Sequence, residues 1–161
     1  PPKELLNLAY TKEALFRSLL RDSLKPLPGL LSFLSELKER GIPCAVATSA
    51  CQENIDFVLQ GLDIASYFSA VVGDSDITRG KPYPDPYLCA CEHLAIDPED
   101  ALVFEDSIIG LTSAQRARCQ YIAVATSLPY EDLTPFKPKR IIRDFTEISC
   151  DIFFADYAVT Y

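Results

Sequence analysis

Methionine and tryptophan are both absent from this 161-residue sequence, and it holds a single histidine, His93. One histidine leaves no Ser-His-Asp relay unless that residue serves, and His93 reads as a solvated helix position. Without a methionine the sequence is expected to be a piece of a longer polypeptide. Its start, Pro1-Pro2-Lys3, lacks the charged and apolar regions of a signal peptide. No apolar stretch approaches the roughly eighteen residues a bilayer span needs, so a soluble protein without a membrane partner is expected. The six cysteines form no CxxC pair, and Cys89 and Cys91 would point to nearly opposite sides of a helix. This argues against zinc and for a reduced, cytoplasmic compartment. Positive charge is scarce: 15 Lys plus Arg against 23 Asp plus Glu give −8, with no basic cluster beyond Lys137 to Arg143. Such a balance repels a nucleic-acid backbone and favours small ligands or basic partners. No Gly-x-Gly-x-x-Gly follows an apolar run, which disfavours a dinucleotide-binding oxidoreductase.

What is present is ordinary in amount and regular in order. A composition 48% hydrophobic and 24% charged is that of one globular domain, long enough to bury a core. Leu5, Leu8, Leu15 and Leu19 predict an amphipathic helix over residues 3–20, and Pro26, Pro28 and Gly29 prevent its continuation. Helices are then expected over 30–40, 53–60, 84–95 and 108–118. They alternate with apolar runs at 42–47, 70–72, 101–104, 121–125 and 141–142. Apolar runs without polar alternation, separated by helices, predict a doubly wound, mainly parallel α/β sheet covered on both faces.

Ligands of such sheets bind beyond the carboxyl ends of the strands. Thr48 and Ser49 follow the first run, Gly73-Asp74-Ser75-Asp76 the second and Glu105-Asp106-Ser107 the third, with Lys81 in the loop after the second. A hydroxyl, free amides, an ammonium and two adjacent carboxylates can hold a phosphoryl group beside magnesium. Each piece also has a plainer use. Thr48-Ser49 would cap the next helix, Lys81 would be a solvated charge, and Glu105-Asp106 would form a turn or cap. Asp74 and Asp76 read as loop caps rather than ligands. Their arrival at successive strand ends of one sheet favours the joint reading.

Leu27-Pro28-Gly29, Ala47-Thr48-Ser49, Gly80-Lys81-Pro82-Tyr83-Pro84-Asp85-Pro86-Tyr87 and Val103-Phe104-Glu105-Asp106-Ser107-Ile108-Ile109-Gly110 resemble, in order and spacing, the haloacid dehalogenase superfamily. The likeness is to its β-phosphoglucomutase-like branch and runs from about Leu24 to Ile148. It implies that Thr48 and Lys81 are catalytic, that Thr48, Ser49 and Lys81 bind the substrate phosphate, and that Glu105 and Asp106 hold Mg2+. Residues 1–23 would be the C-terminal helix of a helical cap, 24–150 the phosphatase core without its first strand, and 151–161 a C-terminal extension. The family's first motif, Asp-x-Asp-Gly-Thr or Val, carries the nucleophile, and nothing before Leu24 matches it. The chain by itself is therefore expected to be inactive.

The strand that carries the first motif is central in the family's sheet. An upstream segment or a partner chain is expected to supply it, since two inner edges would otherwise stand unpaired. Asp156-Tyr157-Ala158-Val159-Thr160 is a loose version of the motif, and a circular permutant with Asp156 as nucleophile is the lesser expectation. Where the family commonly has Gly after a helix, this sequence has Arg118-Cys119. The implied function is that of an Mg-dependent phosphohydrolase, a phosphatase or phosphomutase, acting on a small phosphorylated metabolite, a sugar phosphate by preference. The alternative is a catalytically silent scaffold that binds phosphate or a partner.

Overall fold

A computed structural model describes residues 3–151. The segment with Asp156 lies outside the described residues. Six α-helices and five strands follow in the order α1 Lys3–Leu20, α2 Leu30–Glu39, β1 Ala45–Ala47, α3 Gln52–Gly61, β2 Ala70–Val72, α4 Asp85–Leu94, β3 Leu102–Glu105, α5 Ile108–Arg116, β4 Gln120–Val124, α6 Tyr130–Leu133 and β5 Ile141–Ile142. Each long helix and strand predicted from the apolar pattern is present. The first strand is shorter than the run at 42–47 because Pro43 has no N–H to give a ladder. Helix α6 has too few turns to leave a periodic signal.

All strand pairs are parallel, as the unalternating runs require, but they form two sheets. In one, β1 pairs with β2, Val46 opposite Val71. In the other the order is β3-β4-β5, with Val103 opposite Tyr121 and Ala123 opposite Ile141. Among the described residues no ladder joins β1 to β3. Both nevertheless share the helical layers. Ala47 of β1 packs against the cluster of Tyr87, Cys91, Val103, Ala114 and Cys119. On the other face Cys44 and Ile42 pack with Phe33, Leu37, Ile122 and Val124. Successive residues of β4 thus enter different clusters, Ile122 and Val124 on one face and Ala123 with Leu111 and Leu133 on the other. Burial on both faces is why this strand carries no polar alternation.

Gly29 opens α2 at φ 77°, and a Cβ there would stand 2.5 Å from the Phe145 carbonyl carbon. The Phe145 amide bonds the Pro28 carbonyl oxygen at 3.0 Å, so glycine lets the two backbones meet. Arg118 sits at φ 64°, the left-handed region that favours glycine, which gives the departure at Arg118-Cys119 its place in a turn.

Helix α1 forms over the expected residues, but its apolar stripe is not covered by described residues: Leu8 is 67% and Leu19 71% exposed. Its attachment is polar. The buried Asn54 of α3 donates to Glu13 at 2.7 Å and accepts from Arg17 at 2.6 Å. Asn54→Ala is expected to remove both bonds to charged groups and cost about 1–2 kcal/mol locally. Hydrogen exchange would then show α1 amides exchanging about tenfold faster, with the strands unchanged.

Candidate active site

The carboxyl ends of β1 and β3 and the loop into α4 carry the predicted residues. Thr48 continues from β1, its amide bonding the Val72 carbonyl at 2.9 Å. Its Oγ1 accepts from the Ala50 amide at 3.1 Å, closing a local turn. Neither Thr48 nor Ser49 caps the following helix, whose N-cap is Cys51. Ser49 is exposed, and its hydroxyl lies beside Gly80, the residue before Lys81. Of the acidic loop after β2, Asp76 takes the Gly73 amide at 2.7 Å, the expected loop cap, while Asp74 is exposed.

Lys81 is no solvated loop charge. Its side chain is 11% exposed and its ammonium donates to Oε1 of Glu105, itself 7% exposed. The ammonium also lies 4.8 Å from the Tyr87 ring centroid, which adds a cation–π attraction. The loop that delivers Lys81, whose Lys81-Pro82 peptide is cis, is tied down at two points: Arg116 donates to the Pro82 carbonyl at 2.9 Å, and the buried Ser113 donates to the Tyr83 carbonyl at 2.6 Å. Arg79 grips Asp85 at 2.9 and 3.1 Å, and this hydrogen bonding holds the Asp85 carboxyl below its usual range.

Glu105 ends β3 with both oxygens engaged. Oε1 accepts from Lys81 and from the Tyr87 hydroxyl at 2.5 Å. Oε2 accepts from the Asp106 amide at 3.1 Å, the Ser107 amide at 3.4 Å and the Ser107 hydroxyl at 3.1 Å. Burial, with Glu105 beside it, pushes the Tyr87 hydroxyl far above its ordinary pKa, so it remains a donor at any physiological pH. Ser107 is also the N-cap of α5, taking the Gly110 amide at 3.1 Å. Asp106 is half-buried; its Oδ2 accepts from Thr126 at 3.2 Å and from the Ser127 hydroxyl, and its Oδ1 accepts nothing among the described residues.

Lys81, Glu105 and Asp106 are thus brought together, while Thr48 and Ser49 stand at the end of the other sheet, with no hydrogen bond to those three among the described residues. Three neighbours had no role in the sequence reading. Tyr87 closes the Gly80–Tyr87 stretch that carries the resemblance, and its hydroxyl is the signal that it can bond a carboxylate. Thr126 and Ser127 follow the fourth apolar run, a strand end to which the same rule applies. His93 is exposed on α4, as expected, its Nε2 3.9 Å from the Cys89 sulfur.

The oxygens at Asp106 are hard donors, as magnesium or calcium prefers, and no sulfur or imidazole stands among them. Among the described residues there is no cluster of three or more His, Cys, Asp or Glu that could hold a metal. The acidic pair would fill only part of a coordination shell.

The family model of the haloacid dehalogenase-like hydrolases matches residues 5–124, which takes in every residue of this arrangement except Thr126 and Ser127. The chain belongs to the haloacid dehalogenase-like hydrolases. It is 38% identical over 109 residues to the bifunctional riboflavin kinase/FMN phosphatase of Arabidopsis thaliana, covering 67% of this chain and 28% of that one. The fold is that of a haloacid dehalogenase hydrolase from Entamoeba histolytica, with TM-score 0.89 and 27% identity over 98% of this chain and 73% of the other. It is also similar to CbbY from Rhodobacter sphaeroides in complex with xylulose-(1,5)bisphosphate, at TM-score 0.82 and 25% identity, covering 92% and 68%. The chain spans from 14% to 57% of the length of eight curated relatives, the plant protein included. Among the described residues no helix is long and apolar enough to cross a membrane.

Proposed function

We propose that this chain is part of a cytoplasmic, Mg-dependent phosphohydrolase, a phosphatase or phosphomutase, that acts on a small phosphorylated metabolite. A sugar phosphate is the preferred substrate, in keeping with the bisphosphate held by the Rhodobacter relative. The observation that carries the reading is the Lys81–Glu105 pair buried beside Asp106 at the carboxyl end of a parallel strand, in a chain of this family. Lys81 would neutralise charge on the transferring phosphoryl group, while the Thr48 hydroxyl and Ser49 amide would bond its oxygens. Asp106, with Glu105 next to it, would hold magnesium, whose charge would shield the phosphate oxygens. The nucleophilic aspartate would stand on a further parallel strand laid between the open edges of β1 and β3, from an upstream segment or a partner chain.

The test is phosphate release from a panel of sugar phosphates, FMN and pyrophosphate by the full natural protein. Turnover that stops on chelation by EDTA and returns with Mg2+ is the expected result. The second reading is a catalytically silent scaffold that binds phosphate or a partner. Saturable phosphate binding without turnover on any substrate would select it.

A further inference from the structure

We infer that Thr126 and Ser127 are positioning residues that lock Asp106 so that a single oxygen, Oδ1, faces a divalent cation; the inference rests on the reading of Asp106 as a metal carboxylate. The observation is that two consecutive hydroxyls, 20 and 21 residues beyond Asp106, converge on the same Oδ2 atom. The backbone aims them. After β4 the Ala125 amide bonds the Ile142 carbonyl at 2.7 Å and the Thr126 amide turns back to Val124 at 2.9 Å, so the chain leaves the sheet in a tight bend. Both residues are exposed. Their hydroxyls therefore have water available and need no protein partner for their own solvation; a shared carboxylate oxygen is a specific arrangement.

The other carboxylate of the pair is held from elsewhere. Five donors take up the two oxygens of Glu105, none of them from β4 or the residues after it. Of the four oxygens at this strand end, only Asp106 Oδ1 carries no hydrogen bond among the described residues. A carboxylate whose second oxygen is bonded cannot rotate freely, and it presents a fixed lone pair to a cation without first giving up side-chain freedom. Thr126 also lines, with Glu105 and Asp106 and the apolar Leu27, Phe104, Val124 and Phe145, an open depression of about 240 Å³.

Replacement of both hydroxyls, Thr126→Ala with Ser127→Ala, tests the inference in the full natural protein. Mg2+ affinity is read by calorimetry and Mn2+ occupancy by electron paramagnetic resonance, with Tm measured without metal. About a tenfold loss of Mg2+ affinity is expected at unchanged Tm, because partners behind a metal ligand cost 10–100-fold when removed. The exchange Thr126→Ser with Ser127→Thr keeps both hydroxyls and is expected to bind Mg2+ like the wild type. Wild-type affinity in the double alanine variant would overturn the inference and leave Asp106 as a metal carboxylate. Equal losses in both variants would also overturn it, since the hydroxyls would then not be the cause. A wild-type protein that binds neither Mg2+ nor Mn2+ would instead overturn the metal reading itself.

Discussion

Lys81→Met is expected to lower the stability of the fold by about 3–5 kcal/mol, the usual cost of leaving one member of a buried ion pair alone. Methionine keeps a stem of similar length over the Tyr87 ring and removes only the charge, so the loss reports the ammonium. Glu105 would keep its bonds from Tyr87, Ser107 and the Asp106 amide but hold a negative charge at 7% exposure with no cation beside it. Urea unfolding at neutral pH would show a lower midpoint at an unchanged slope. Addition of Glu105→Gln to Lys81→Met is expected to restore most of the stability, since neither partner is then charged. Neither variant is expected to turn over phosphate. A stability loss below about 1 kcal/mol would mean that the pair behaves as a surface salt bridge.

Gly110→Ala separates local preference from tertiary constraint, because the two predict opposite signs. Within a helix, alanine is favoured over glycine by about 1 kcal/mol, so on propensity alone the change would stabilise α5. The structure predicts the reverse: a Cβ at Gly110 would overlap the carboxyl group of Glu105. That carboxyl group cannot swing aside without surrendering the bonds from Lys81, Tyr87 and Ser107. Overpacking of this kind costs about 1–3 kcal/mol, and separation of the buried pair adds to it. A net loss of about 3 kcal/mol is expected, together with loss of Mg2+ binding as Asp106 moves with its neighbour. A more stable Gly110→Ala protein would show that the Glu105 side chain does not lie against the first turn of α5.

Both predictions bear on how far the sequence reaches. The spacing of Leu111 and Ala114 along α5, or the run Tyr121-Ile122-Ala123-Val124, reflects burial repeated every few residues, and that repeat is printed in the order of residues itself. So the helices, the parallel strands and their alternation were legible, as was the placing of Thr48, Lys81, Glu105 and Asp106 near strand ends. The edges of elements were less so. Pro43 shortened β1 to three residues, and the last residues predicted for α4 and α5, Ala95 and Arg118, lie just past the helices in left-handed conformation.

The amino-acid order by itself determined the α/β class, the succession of elements and the chemical types that gather where parallel strands end. Only the tertiary structure decided that Lys81 is buried on Glu105 and that Tyr87 and two hydroxyls beyond β4 hold the acidic pair. It also decided that α1 is fastened through Asn54 while Leu8 and Leu19 stay exposed. The physical reason is range. Periodicity and capping act over three or four residues and leave their mark locally, whereas a bond between residues 18 to 41 apart exists only because packing has brought their elements together.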